Sequence, residues 1–166
     1  CLSGSKEKNR APYLPRLWAG FCRSANGDLL LGEMPPGGVG RQPPHRPEGG
    51  EMKTLTIRQP FASGIAWGEK TIEHRSWSTG HRGPLLIHAG AAPYRLKFDD
   101  GETMQLPYGC IIARVNLVEV RPFTADDCEA ACMESVVPGF AWVLADVQEV
   151  RPVRAKGKLH LWEWEG

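Results

Sequence analysis

Residues 52–89 read MKTLTIRQPFASGIAWGEKTIEHRSWSTGHRGPLLIHA. Lys53 to Ile57 has the pattern of a strand, with Leu55 and Ile57 on one face. Gln59-Pro60 follows, and Pro60 suits the first helical position, where its missing N–H is not needed. Phe61, Ile65 and Ala66 share one helical face, and Gly68 supplies the stop. Thr71 to Trp77 predicts a second strand and Pro84 to Ala89 a third, joined by a basic turn at His81 and Arg82. Charged and hydrogen-bonding side chains therefore crowd around one helix start, the layout of a binding or catalytic groove.

Beyond this stretch, Gly90 to Gly109 is irregular and polar and predicts a surface excursion. Cys110 to Val120 and Phe140 to Val150 predict two longer strands. Both run into the same four residues, Glu-Val-Arg-Pro at 119–122 and 149–152, where a proline that cannot donate to a ladder stops or bends the strand. Between them Thr124 caps a short helix through Met133, with Asp126 and Asp127 in its first turn. Leu159 to Glu165 predicts a last strand, in which Leu159, Leu161 and Glu163 alternate with His160, Trp162 and Trp164. Many short strands and few helices predict a mainly β, α+β domain that closes or nearly closes into a barrel.

Residues 1–51 differ in kind. They hold 7 Pro and 9 Gly, and residues 35–50 (PPGGVGRQPPHRPEGG) have no periodicity and little to bury, which predicts a disordered tail. Tyr13, Leu14, Leu17 and Trp18, or Leu29 to Leu31, are candidates for a small local cluster. The division is therefore 1–51 tail and 52–166 domain. Cys rather than Met stands first, and Met52 follows Glu-Gly-Gly-Glu, so the expectation is that Met52 is the native start and 1–51 a non-native or flexible leader.

The formal net charge is +1. The tail carries 7 basic and 5 acidic residues, the domain 13 and 14. Such a domain lacks the global basicity of a tight nonspecific duplex binder, so any nucleic-acid contact must be a local patch. Five cysteines (Cys1, Cys22, Cys110, Cys128, Cys132) without framework spacing predict reduced thiols and a cytoplasmic protein. Cys128 and Cys132 share a helix face but lack a zinc motif, so no metal and no cofactor are expected. No apolar run approaches the roughly 20 residues needed to cross a bilayer, and no membrane partner is expected.

Alternation along the second strand puts Thr71, Glu73, Arg75 and Trp77 on one side and Ile72 and His74 on the other. A partly buried Glu73–Arg75 pair would hold both side chains in fixed directions, suited to a planar polar ligand. The bland counterpart is a solvent-facing ion pair worth about 0–1 kcal/mol. Lys70 is a candidate phosphate contact or, if desolvated, a base; a solvated loop lysine is the commoner fate. Ser63 and the N–H groups after Pro60 offer donors to an anion, though the Ser63 hydroxyl suits a bond back to Gln59 equally well. Gln59 either caps the helix or reads a base edge. His88 reads as a packed, half-buried residue, and Trp77 as either rim packing or a stacking platform worth about 1–3 kcal/mol per base.

Gln59-Pro60-Phe61-Ala62-Ser63, then Gly68-x-Lys70-x-x-Glu73-x-Arg75-x-Trp77, then Arg82-Gly83-Pro84-Leu85 resemble the ASCH (activating signal cointegrator homology) domain over roughly Met52 to Gly166. The resemblance implies a PUA-like β-barrel with an RNA-related cleft. It implies binding of RNA or a modified nucleotide through a basic cleft of Gln59, Pro60, Ser63, Lys70, Glu73, Arg75, Trp77, Arg82 and Lys156. Lys156 enters because the family has a comparable Lys-Gly turn. The expected ligand is single-stranded RNA or a modified nucleoside, and the expected state a monomer. The alternative is a small hydrolase, acetylcytidine amidohydrolase-like or a ribonuclease, using Lys70, Glu73 and Thr71. Here Glu73 stands where such amidohydrolases have Thr three residues after the Lys, and a further acid is a guess between Glu119 and Glu129. A protein-interaction module, as in coactivators, is a third reading and would give the chain a protein partner.

Overall fold

The computed structural model describes residues 52–98 and 101–166. The readings of the 1–51 tail lie outside the described residues. Strand β1 (Met52–Ile57) leads into helix α1 (Phe61–Ala66), then β2 (Ile72–Arg75) and β3 (Gly83–Ala89). A small hairpin, β4 (Arg95–Lys97) and β5 (Thr103–Gln105), precedes the long strand β6 (Cys110–Pro122). A 3-10 turn (Ala125–Asp127) continues into α2 (Cys128–Ala131), followed by β7 (Phe140–Arg154) and β8 (Leu161–Trp164).

The main sheet has six strands in the order β2-β7-β6-β3-β1-β8. Only β1 and β3 run parallel, the connection between them carrying α1 and β2. The expected barrel is corrected: β2 and β8 end the sheet and no ladder joins them. Side chains reach across that gap instead. Arg75, at the end of β2, donates from Nη2 to the Thr56 carbonyl of β1 at 2.8 Å. Trp77 meets the His160 ring edge-on at 5.0 Å, just before β8. The mainly β architecture with two short helices is as read from the sequence, and the ASCH fold is consistent with it.

β3 lies inside the sheet and is buried on both faces, which is why Leu85 to Ala89 is an almost unbroken apolar run. Leu85, Ile87 and Ala89 join Leu55, Ile57, Ala62, Ile65 and Trp142 in the main core, beneath α1. Leu86 faces the other side with Met52, Ile111 and Val150. A third cluster, Ile72, Phe123, Ala131 and Ala141, seats α2 against β2.

Four local readings need correction. The polar excursion 90–109 contains the β4–β5 hairpin, which buries Leu96 and Leu106 in a small core of its own. β7 runs through Pro152 to Arg154, because β2 pairs it only from Phe140 to Val143 and the proline lies where no ladder faces it on that side. The second helix is a 3-10 turn and one α-turn, ended by Cys132 at φ 56°. The last strand starts at Leu161, since His160 adopts φ 56° and leaves Leu159 86% exposed.

Candidate ligand site at the gap between β1 and β2

Gly68 takes φ 78°, which lets the chain leave α1 and turn back. The amides of Glu69 and Lys70 both donate to the Gly64 carbonyl. That reversal drives the Lys70 side chain inward until the residue is 2% exposed. Its ammonium donates to the carbonyls of Ile72 and Ala131, each at 2.6 Å, and lies 3.2 Å from Glu73 Oε2. It also stands 5.5 Å from the centre of the Phe61 ring. Ala131 ends α2, so Lys70 caps the last carbonyl of the short helix. An ammonium has three N–H groups; these two carbonyls take two of them, and the Glu73 carboxylate stands beside the group as its ion-pair partner. Lys70 is therefore turned into the protein, 2% exposed and away from an incoming phosphate.

Glu73 passes the arrangement on. Its Oε1 lies 3.2 Å from Arg75 Nε, so one carboxylate holds a buried cation on one oxygen and a partly exposed one on the other. The Nε contact is an ion pair rather than an aligned hydrogen bond, and the Nε itself is shielded from water. Arg75 is fixed a second time through Thr56. Its side chain is 25% exposed, and its Nη1 has no partner among the described residues. The predicted Lys70, Glu73 and Arg75 trio is thus brought together in one chain of contacts.

Other predicted residues fall elsewhere. Gln59 Oε1 accepts from the Ser63 amide at 3.0 Å, while its Nε2 donates to Ser63 Oγ at 2.8 Å and to the Pro107 carbonyl. Gln59 and Ser63 thus satisfy each other at the helix start, and Pro60 serves as its cap after a cis peptide. Trp77 packs edge-on against Trp142 at 4.7 Å and receives the Trp142 N–H on its carbonyl, so it is a wall rather than an open platform. Thr71 is exposed, and its backbone is spent on Ala130 and Leu144. The expectation that it shares the Glu73 environment is corrected, because the strand starts only at Ile72. Glu119 is exposed and paired with Arg121, and Glu129 is exposed on α2. Arg82 closes its own turn on the carbonyls of Thr79 and His81. It precedes Gly83, five β3 residues from His88, or about 16 Å along the strand.

Lys156 is exposed, and its neighbour Gly157 makes contacts that the sequence did not single out. A Cβ placed on Gly157 would lie 2.8 Å from His88 Cε1 and 3.0 Å from both His88 Nδ1 and Thr56 Oγ1. Only glycine lets the 155–157 backbone come this close. His88 is fully buried; its Nε2 meets the Ala155 carbonyl at 2.9 Å, and Trp162 donates to Thr56 Oγ1 at 3.1 Å. Burial pushes the His88 pKa down, against the raising effect of the Ala155 contact. The Ala155 carbonyl can only accept, so Nε2 carries the proton there; burial favours the neutral ring, with Nδ1 toward Gly157. Thr56 is thus the meeting point, with Arg75 on its carbonyl and Gly157 and Trp162 on its hydroxyl. A threonine inside an alternating strand carries no signal of this in sequence; the only hint is a glycine between two lysines.

An open β-sheet over one short helix, with an ion-paired arginine spanning its gap, defines a small β domain with a polar site at a sheet edge. The ASCH domain family model matches residues 55–154, and the chain belongs to that family. It is 38% identical over 79 residues to human activating signal cointegrator 1, spanning 39% of this chain and 14% of that protein. The chain thus spans about a seventh of the length of that relative. Among solved structures, the ASCH protein from Zymomonas mobilis is 16% identical with a TM-score of 0.47, covering 69% of this chain and 87% of that one. A serine-to-alanine point mutant of that protein is 14% identical with a TM-score of 0.49, covering 69% and 88%.

Proposed function

We propose that this domain binds single-stranded RNA or a modified nucleotide, with Arg75 as the group that meets the ligand. The observation that carries this is the state of the Arg75 guanidinium: anchored by Glu73 and Thr56, partly exposed, and with Nη1 uncommitted among the described residues. An arginine held on two sides has little rotamer entropy left to lose, and its free N–H groups are aimed before the ligand arrives. Base carbonyls and phosphate oxygens both accept such a donor, and unstacked bases in single strands expose their edges to it. Family membership points the same way. Lys70 and Glu73 then act as positioning residues. No observation favours the hydrolase alternative: Lys70 is buried on the Ile72 and Ala131 carbonyls and Thr71 lies in solvent.

The test is equilibrium binding of the full chain to a labelled single-stranded RNA 10-mer, with the RNA recovered and sized afterwards. Arg75→Ala is expected to weaken binding roughly tenfold or more, the loss of a charge-assisted donor pair, and the RNA to come back intact. Undiminished binding by Arg75→Ala, or shortened RNA that Lys70→Ala preserves, would refute the reading.

A further inference from the structure

The His88 ring is fully buried on the face of the sheet opposite α1, and its two nitrogens meet different surroundings. Nε2 bonds the Ala155 carbonyl at 2.9 Å. Nδ1 is shielded from water and has no hydrogen-bond partner. Gly157 lies against it, so close that a Cβ there would stand 3.0 Å from Nδ1. Thr56 Oγ1 borders the same space, 3.0 Å from that Cβ position, and already accepts from Trp162 Nε1 at 3.1 Å. A neutral ring with its proton on Nε2 fits this arrangement, because Nδ1 then carries only a lone pair. A charged ring must point a second N–H at the Gly157 backbone with no acceptor given to it, and a buried charge without a partner is costly.

No carboxylate bonds either nitrogen from the segments packed around the ring. β1 presents Thr56, and β8 the edge of Trp162 at 5.7 Å. β6 pairs Ile111 with His88 and carries Arg114 opposite Leu86 on the same face. The connection from β7 to β8 brings Ala155 and Gly157, with Lys156 exposed and Lys158 standing 5.8 Å from the centre of the Trp162 ring. Glu163 of β8 is taken by Lys53, in step with Leu55 on the α1 face. The charges on the His88 side are therefore cations, which disfavour a further proton. Beyond His88 the connection is anchored by the Ala155 amide on the Gly109 carbonyl at 3.3 Å and by the His160 ring against Trp77 at 5.0 Å. Leu159, just before His160, is 86% exposed.

We propose that His88 is a proton-operated latch for the connection from β7 to β8. A proton taken from solvent at Nδ1 forces the 155–157 backbone off the ring, and the segment through His160 lifts from the sheet. Both ring nitrogens then reach water. The lift carries His160 away from Trp77, so acid loosens one of the contacts that close the gap between β2 and β8. The latch works in the free protein and does not depend on what Arg75 binds.

The test follows the full chain by NMR across the histidine range, reading amide exchange at Ala155 with the β3 amides as reference and the His88 ring shifts alongside. With intrinsic exchange divided out, Ala155 protection in wild type is expected to fall by up to about tenfold per pH unit below the ordinary histidine value, while β3 keeps its protection. His88→Gln retains an N–H donor for the Ala155 carbonyl and removes the titration, so its Ala155 protection should not vary with pH. Gly157→Ala presses a methyl group on the ring and should lower Ala155 protection roughly tenfold at neutral pH, without any proton. A His88 ring that titrates while Ala155 stays protected overturns the latch. So does the same pH dependence in His88→Gln, or β3 protection lost in step with Ala155. A Gly157→Ala chain as well protected at Ala155 as wild type overturns it independently.

Discussion

Glu73 is the residue on which the site turns. It touches both Lys70 and Arg75, and Lys70 is too deep to find water if Glu73 is neutralised. Breaking one partner out of a buried ionic group is costly because the other charge is left behind. Glu73→Gln should therefore lower stability by about 3 kcal/mol in urea unfolding; a loss below about 1 kcal/mol would show that the ion chain is not coupled. His88 gives a pH-dependent consequence. Burial depresses its pKa, so the folded protein takes up fewer protons than the unfolded chain near and below pH 6.5. The His88 contribution is intact above that pH and is lost as pH falls. An NMR titration of the His88 ring should show a midpoint below 6.5; a midpoint at or above it contradicts the neutral, Ala155-bonded ring.

At the scale of elements, α2 has too few residues to stand on its own hydrogen bonds. It is tied at both ends. Lys70 meets its last carbonyl, and at its start Asp127 accepts two bonds from Arg121 and one each from the amide and hydroxyl of Thr124. The Arg121 bonds, against the opposing effect of burial, hold the Asp127 carboxyl well below the usual carboxylate range. Its stabilising effect is present in full above about pH 3.8 and is lost progressively as pH falls below that, down to the lowered titration of the folded group. Asp127→Ala should cost about 2 kcal/mol in unfolding free energy at neutral pH, and that difference should shrink in strong acid. A cost unchanged with pH would dissociate the cap from the charge. The strands and α1 were legible because Leu55, Ile57, Phe61, Ile65 and the Leu85–Ala89 run report burial directly. The β4–β5 hairpin was not, because two buried leucines among polar residues give no period. The site was half legible: Glu73 and Arg75 follow from alternation. The inward turn of Lys70 depends on a carbonyl of α2 that lies 61 residues away, which no local pattern encodes. Gly157 and Thr56 were missed for the same reason, since their meaning lies in what approaches them.

For the molecule as a whole, the open edge between β2 and β8 matters most. The sheet is held across that gap by Arg75 on Thr56 and by Trp77 against His160, with Trp142 of β7 backing the indole. Removing the half-buried indole by Trp77→Ala should cost about 2–3 kcal/mol and quicken amide exchange in β8 ahead of β3. Uniform exchange through both strands would mean that the gap is closed by other contacts. A gap spanned by side chains rather than a ladder is also a place where a ligand can compete for the spanning groups. The account's central claim is that the Arg75 guanidinium is held in advance and is the group an RNA strand engages. Selective 15N observation of the arginine Nε–H groups tests this directly. A slowly exchanging Nε–H that Arg75→Lys removes, alongside that of the likewise buried Arg114, should be seen in the free protein and should shift with RNA, saturating at the affinity measured by binding. An Arg75 signal averaged with the solvent-exposed arginines, or one unmoved by saturating RNA, would contradict the account.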